Sequence, residues 1–404
     1  LMDKKSHQSK LAKNLTLMGA NELFAALRFF YPISILYFAD VTGSFAVAMG
    51  VYSCATIVGA LLEVPTGVLS DKWGRRNIFV LGCTIEWLAA FCYAMAATHF
   101  LMGGTAWLYI GAACFGISGS LFSGNNYALL YETAECLRQR HRLAHILGRN
   151  SSMEQLGLAG ASAVAGILLW FGASFEMLFW LTLIPMSCAL IAALMTTEPP
   201  RHSLSESHPW AHMKDAFHLI VQNKELRLLA ICSAWKTGWG MSSHSFLPKF
   251  IETVWPVWAV PFYRLGQNII GFFSYWFAGK VTDKFTPLKT LFGMSLISDG
   301  LSLIAFGIAN LVSPFLLMLS QINWAVGNTA NDTLQQQHFS KEQRSTMVSL
   351  ISLLSSLMNA IAAVILGLFA DHIGPQNTLL VITVMMLPIS FGYLSLYKTN
   401  KNAK

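Results

Sequence analysis

The sequence predicts an all-α integral membrane protein: twelve transmembrane helices in two pseudo-symmetric six-helix bundles, with both termini cytoplasmic. Composition, the number of long apolar runs and the placement of basic residues each point there. Of 404 residues, 54% are hydrophobic and only 12% are charged. A soluble domain carries roughly 25% charged residues. The 27 Lys+Arg and 20 Asp+Glu are too few to coat a soluble surface, so lipid is the solvent for much of this one. A soluble enzyme and a disordered chain are thereby disfavoured. Because a helical span takes ~20 residues, this length holds about a dozen with short loops.

Apolar runs broken by polar or Gly/Pro punctuation lie near 15–39, 44–70, 77–98, 104–131, 145–171, 175–196, 226–251, 256–282, 288–309, 312–337, 345–370 and 377–397. The expected organisation is a tail (1–14), a first bundle (15–196), a linker (197–225), a second bundle (226–397) and a tail (398–404). The first segment is too long for a signal-peptide core, so no cleaved leader is expected. With the N-terminus inside, 23 of the 27 Lys and Arg fall on cytoplasmic stretches. Lys249 alone falls outside, and Arg28, Lys236 and Arg264 fall within spans. That asymmetry sets the orientation. The net charge of +7 is therefore a topology signal and no nucleic-acid partner is expected. The seven cysteines contain no CxxC pair, which indicates neither a disulfide framework nor a zinc site.

The linker contains Pro199-Pro200 and then Trp210, Met213, Phe217, Ile220 and Val221 at helical spacing. This reads as a short amphipathic helix on the inner leaflet. His208 and His212 lie four apart there but lack a third ligand, so no metal is expected.

A repeat is visible. Gly67-Val-Leu-Ser-Asp71-Lys72-Trp-Gly74-Arg75-Arg76 follows segment two. Gly279-Lys-Val-Thr-Asp283-Lys284 follows segment eight, and Gly367-Leu-Phe-Ala-Asp371-His-Ile-Gly374 follows segment eleven; Gly166 and Gly172 leave a trace after segment five. The chain thus reads as four copies of a three-helix unit, the mark of secondary transporters. Gly67 to Arg76 resembles, position by position, the signature loop G-x-x-x-D-[RK]-x-G-[RK]-[RK] of the major facilitator superfamily. The second copy is weaker, with Thr286 in place of the later Gly and a base kept only at Lys289.

Physically, Gly67 is expected to let two helices approach closely and Gly74 to permit a tight turn. Asp71 can accept hydrogen bonds from the free N–H groups of a neighbouring helix N-terminus, and Arg75 and Arg76 can anchor to phosphates and acids at the inner surface. The resemblance implies that this loop is a gate, bridging the two halves on the cytoplasmic side when the protein opens outward. Two patterns of drug/proton antiporters are missing: segment four has no Arg in an R-x-x-Q-G setting, and segment five has Gly157, Gly160 and Gly166 without the Gly-Pro pair.

A charge at mid-bilayer depth costs roughly 2.5–3.5 kcal/mol on insertion scales, so each needs a partner, a cavity or a task. The cations are Arg28, Lys236 and Arg264; the acids are Glu22, Glu63, Glu86, Glu132, Glu154, Asp299 and Asp332. Burial and mutual repulsion favour a neutral carboxyl, so at least one acid is expected to take a proton. Glu154 is the first candidate and Glu22 the second, with Glu132 and His244 further. Polar stripes at helical spacing include Asn21 and Arg28, Gly111 to Asn125 and Glu132, Lys236 with His244, Arg264 with Asn268, and Asn328 with Asp332; Asn359 belongs to a stripe in segment eleven. Segments one, four, seven and ten line the cavity in the resembled family, and all four are striped here. Asn21, Arg28, Asn125, Lys236, Arg264, Asn268, Asn328 and Asn359 are the expected cavity residues. The packing alternatives are that Arg28 pairs with Glu22 or Glu154, that Lys236 sits on Trp235 and Trp239, and that Glu86 and Asp299 are structural.

The functional expectation is a monomeric transporter of the inner membrane, working by alternating access on a small organic solute in a central cavity between 15–196 and 226–397. Its partners are the solute, protons and membrane lipids, with no cofactor. The three cations suggest an anionic or acceptor-rich solute, or else they only neutralise the acids. The resemblance favours efflux by a narrow margin; the missing antiporter patterns favour proton-coupled uptake of an anionic metabolite or siderophore-like solute. An enzyme is disfavoured because no HxxxH, GxSxG or HExxH occurs inside a span. A receptor or scaffold would not need polar stripes in both halves.

Overall fold

A computed structural model describes residues 2–98, 103–200, 221–222, 224–338 and 344–402. Among these the chain is helical, with short 3-10 turns and no strand. The helices are α1 (Met2–Ala26), α2 (Ser34–Thr42), α3 (Phe45–Trp73), α4 (Arg75–Met95), α5 (Gly104–Phe122), α6 (Asn125–Cys136), α7 (Leu143–Trp170) and α8 (Phe175–Leu194). After the linker come α9 (Lys224–Val254), α10 (Val260–Phe285), α11 (Pro287–Ile308), α12 (Ser313–His338) and α13 (Arg344–Asn402). Residues 201–220 lie outside the described residues, and with them the expected amphipathic helix, His208 and His212.

Eight helical stretches among the described residues are long and apolar enough to cross a bilayer. They cover α1 with α2, α3, α4, α5 with α6, α7, α8, α11 and α13. Where segments seven, eight and ten were expected, α9, α10 and α12 are long helices whose polar side chains lower their hydropathy. Segments eleven and twelve run together as α13, whose helical path breaks at Gly374. Large apolar side chains such as Leu61, Phe171, Ile184, Phe272 and Leu311 are exposed, as expected where lipid replaces water.

The chain forms two compact units: Leu1–Gly43 with Cys54–Glu206, and Ser44–Ser53 with Ser207–Lys404. In unit 1, α1 packs on α7 and α8, and α4 packs on α5 and α8. In unit 2, α9 packs along α13, and α11 packs on α12 and α13. Matching α1 to α9 and α4 to α11 makes these the same arrangement, as the sequence repeat requires. Met18, Phe79, Cys83, Leu129 and Ala193 form one buried core cluster; Leu229, Cys232, Leu288, Leu291 and Tyr393 form another in unit 2.

Close approach selects glycine at Gly157, where a Cβ would lie 2.5 Å from the Leu23 carbonyl oxygen of α1. Gly67 does not play that part: nothing stands within 4 Å of its missing Cβ. Pro32 falls in the turn that separates α1 from α2. Pro185, Pro248 and Pro388 lie inside helices, whereas Pro261 stands in the first turn of α10 and starts it rather than bending it.

The corners after α3, α7, α10 and the first half of α13 share one backbone feature. Gly74, Gly172, Thr286 and Gly374 all have positive φ (99°, 84°, 66° and 78°). Glycine adopts this at little cost, but Thr286, at φ 66° and ψ 148°, holds a β-branched side chain in a region nearly reserved for glycine. Such outliers cost about 1–3 kcal/mol. Thr286→Gly is therefore expected to stabilise the protein by about 1 kcal/mol, measured as a rise in Tm of the detergent-solubilised chain; an unchanged or lower Tm contradicts the strain.

Candidate functional site

In unit 1 the helix of segment one breaks after Ala26. Pro32 has no N–H to continue the ladder, and the chain resumes as α2 only at Ser34. Arg28 sits in this break. Its Nε donates to the Ala25 carbonyl at 2.8 Å, and its guanidinium reaches Glu86 of α4 at 2.5 Å while lying over the Phe115 ring. Glu86 is buried, with a 7% exposed side chain. The expected partners Glu22 and Glu154 are not the ones used: Glu22 is partly exposed on α1, and Glu154 is exposed on α7.

Unit 2 repeats the theme. Lys236 of α9 contacts the Ser295 hydroxyl of α11, one turn before Asp299. Asp299 accepts a hydrogen bond from Ser390 of α13 at 3.1 Å. The Lys236 ammonium lies 6.0 Å from the centre of the Tyr393 ring, rather than over the expected Trp235 and Trp239. Further along α9, Arg264 of α10 donates to the His244 ring and, at 2.5 Å, to the His244 carbonyl; it also reaches Gln267 at 3.1 Å. Lys236, His244, Gln267 and Asp299 line a cavity of about 160 Å³.

The signature loop forms its own network inside unit 1. Arg75 pairs with Asp71 at 2.9 Å and with Glu132 at 3.3 Å, and donates to Ser70. Ser70 in turn donates to Asn125, whose amide reaches the Arg75 carbonyl at 3.0 Å. Arg76 donates to the carbonyls of Thr196 and Leu194. The helix-capping role expected of Asp71 falls to two other acids. Glu198 accepts from the first backbone N–H groups of α4, at Arg75 and Arg76 (2.9 and 2.7 Å). Asp371 accepts from Ser44 and from the N–H groups of Phe45 and Ala46 that open α3, which is why residues 44–53 group with unit 2.

Other expected cavity residues have packing partners. Asn21 donates to the Ala189 carbonyl of α8 at 2.9 Å and to Cys83, locking α1 to its neighbours. Asn125 and Glu132 belong to the loop network. Asn359 accepts from Ser242 at 2.7 Å, tying α13 to α9. Asn268 and Asn328 are partly exposed, and Lys72 and Lys284 are exposed. The surroundings of Gly279 and the side chains of Asp283 and Asp332 lie outside the described residues. The pairing acids Glu86 and Asp299 were read as structural. A signal for them existed: Glu86 follows Asp71 by fifteen residues and Asp299 follows Asp283 by sixteen, within one residue of the same place in two copies of the repeat.

The model of the Major Facilitator Superfamily matches residues 18–363. Among solved structures, a point mutant of the nucleoside transporter NupG superposes with a TM-score of 0.82 at 14% identity, covering 95% of this chain and 99% of that one. A bacterial homologue of the human lysosomal transporter Spinster, inward-facing and unoccupied, gives 0.72 at 17% identity over 97% of both chains. A D-xylose-proton symporter gives 0.71 at 15% identity over 94% of this chain and 96% of that one. No curated protein sequence matches.

Removing one member of a buried ion pair strands the other. Arg28→Met is expected to lower stability by about 3–5 kcal/mol, and Arg28→Met with Glu86→Met to recover most of the loss. Thermal unfolding in detergent checks this, and equal losses in the single and double variants contradict the pairing.

Proposed function

We propose that this chain, which belongs to the Major Facilitator Superfamily of membrane transporters, is a proton-coupled secondary transporter that moves a small, anionic organic solute by alternating access. It works as a monomer in the inner membrane, with twelve spans and both termini cytoplasmic. The observation that carries the reading is the matched placement of charge. Each unit holds a cation of its first span beside an acid of its third: Arg28 with Glu86, and Lys236 in the same cavity wall as Asp299. Packing needs no charge at these depths, where apolar residues would be cheaper. A cation–acid set can exchange partners: the acid takes a proton, and the freed cation takes a solute anion. That exchange ties solute movement to proton movement. One structural relative is a D-xylose-proton symporter, which supports the same class of coupling. Direction follows from the exchange, since anion and proton are held together; symport is the reading favoured.

Glu86 and Asp299 replace Glu154 as the first proton carriers, because they face cations and Glu154 does not. Glu22, partly buried on α1, stays as a third.

The test is purified protein in proteoliposomes under an imposed pH gradient, screened against anionic metabolites and drugs. A hit is expected to accumulate with the gradient and to lose accumulation when an uncoupler collapses it. Glu86→Gln and Asp299→Asn are expected to reduce gradient-driven uptake about tenfold or more, within the usual effect of a lost proton-transfer group, while exchange of internal for external solute persists. Gradient-driven uptake unchanged in Glu22→Gln, Glu86→Gln and Asp299→Asn contradicts the coupling.

A further inference from the structure

We infer that the cavity lined by α9, α10, α11, α12 and α13 of unit 2 is a binding site for a small amphipathic monocarboxylate, whose carboxylate replaces that of Asp299 as the counter-charge of Lys236. The inference deepens the transport reading above and rests on it for its purpose. Size, a wall both apolar and charged, orphaned donors and the balance of charge carry it.

The cavity measures about 160 Å³, and one of ~150 Å³ holds a benzene-sized molecule. Its wall is mixed: Leu247, Phe306, Leu317 and Met386 give apolar surface, and Lys236 and Asp299 give charge. Two polar groups in the wall have no hydrogen-bond partner among the described residues: the Ser243 hydroxyl and the Asn323 amide nitrogen, on a side chain that is 8% exposed. The Arg264 Nε, just behind His244, is a third such donor. An orphaned buried donor costs about 1–3 kcal/mol, so this wall is short of acceptors, and a carboxylate supplies them.

The charge count points the same way. Ser390 of α13 donates to Asp299, Lys236 and His244 of α9 line the same cavity, Arg264 of α10 is held against His244, and Tyr393 of α13 lies by Lys236. From α12 the wall has only the uncharged Ser320, Gln321 and Asn323 among its polar side chains. Among the lining residues Lys236 is thus the cation and Asp299 the acid, with Arg264 held against His244. While Asp299 is ionised it balances Lys236. When Asp299 takes a proton from solvent, the Lys236 ammonium is left without a counter-charge and attracts the ligand carboxylate. Proton and anion therefore bind together, without a net change of charge.

The probe is radiolabelled benzoate, with benzamide as its uncharged isostere, bound to the full-length purified protein in detergent. Benzoate affinity is expected to rise as pH falls from about 8 to 6, by up to about tenfold per unit, the limit for one linked proton. Benzamide is expected not to bind. Asp299→Asn is expected to bind benzoate with one affinity across this range; Lys236→Met is expected to lose about thirtyfold or more, as for a buried charge pair stripped of one partner. Leu317→Trp, which fills the cavity without touching a charge, is expected to abolish binding. Size-exclusion profiles show which variants are folded, and the pH series and the benzamide control need only the native chain. Absent benzoate binding, equal binding of benzamide, or affinity that does not change with pH overturns the site. Binding needs neither vesicle nor gradient. Failure here beside proton-driven flux of another solute removes the site alone, whereas binding without any flux removes the transport reading.

Discussion

A charge at mid-depth in a bilayer costs roughly 2.5–3.5 kcal/mol even on the mildest scales, and that cost organises this molecule. Arg28, Lys236 and Arg264 each lie in an otherwise apolar stretch, and each is met by a specific partner on another helix or turn: Glu86, Ser295 and His244. The partners fix which helices must be neighbours. Arg28 joins the break after α1 to α4, Lys236 joins α9 to α11, and Arg264 joins α10 to α9. Apolar packing then fills in around these contacts, as Phe79 and Cys83 do beside Met18 in unit 1.

The internal repeat shows through the backbone as well as the charges. Four corners, three helices apart, share a left-handed residue, and three of the four are glycine. At the fourth, Thr286 keeps the conformation without the residue that suits it. The corner is thus set by what the helices on either side need, and the side chain follows it at a cost. Acids serve the same corners. Glu198 holds the first N–H groups of α4, and Asp371 those of α3, both using the positive end of a helix.

The helices themselves were legible because a span is a local property: a run of apolar residues of the right length declares itself. The signature loop was legible for the same reason, since Gly74 and its flanking bases lie within ten residues. Arg28, Lys236 and Arg264 stood out against their apolar surroundings. Partners were another matter. Spacing gives the face of a helix but not the helix opposite, so Asn21 and Asn125 looked like cavity residues, yet they bond to Ala189 and to Ser70 with Arg75. Glu86 reads as packing because span three is usually peripheral in the resembled family, and its cation lies 58 positions away. Only the repeat, which puts Glu86 and Asp299 within one residue of the same register, could have joined them. The acid most favoured by its spacing, Glu154, is exposed on α7.

These contacts suit a transporter because they are exchangeable. On the proposed reading, an ion pair is broken to admit an anion and a carboxyl is protonated to break it, which makes the two events conditional on one another. Apolar packing has no such property. The most direct measurement is the proton count itself, taken with no gradient imposed: a transported anion is added to lightly buffered proteoliposomes, and interior pH and solute content are followed together. The account predicts that the interior acidifies in step with solute entry, at a fixed ratio. Solute entry with no movement of protons would contradict it.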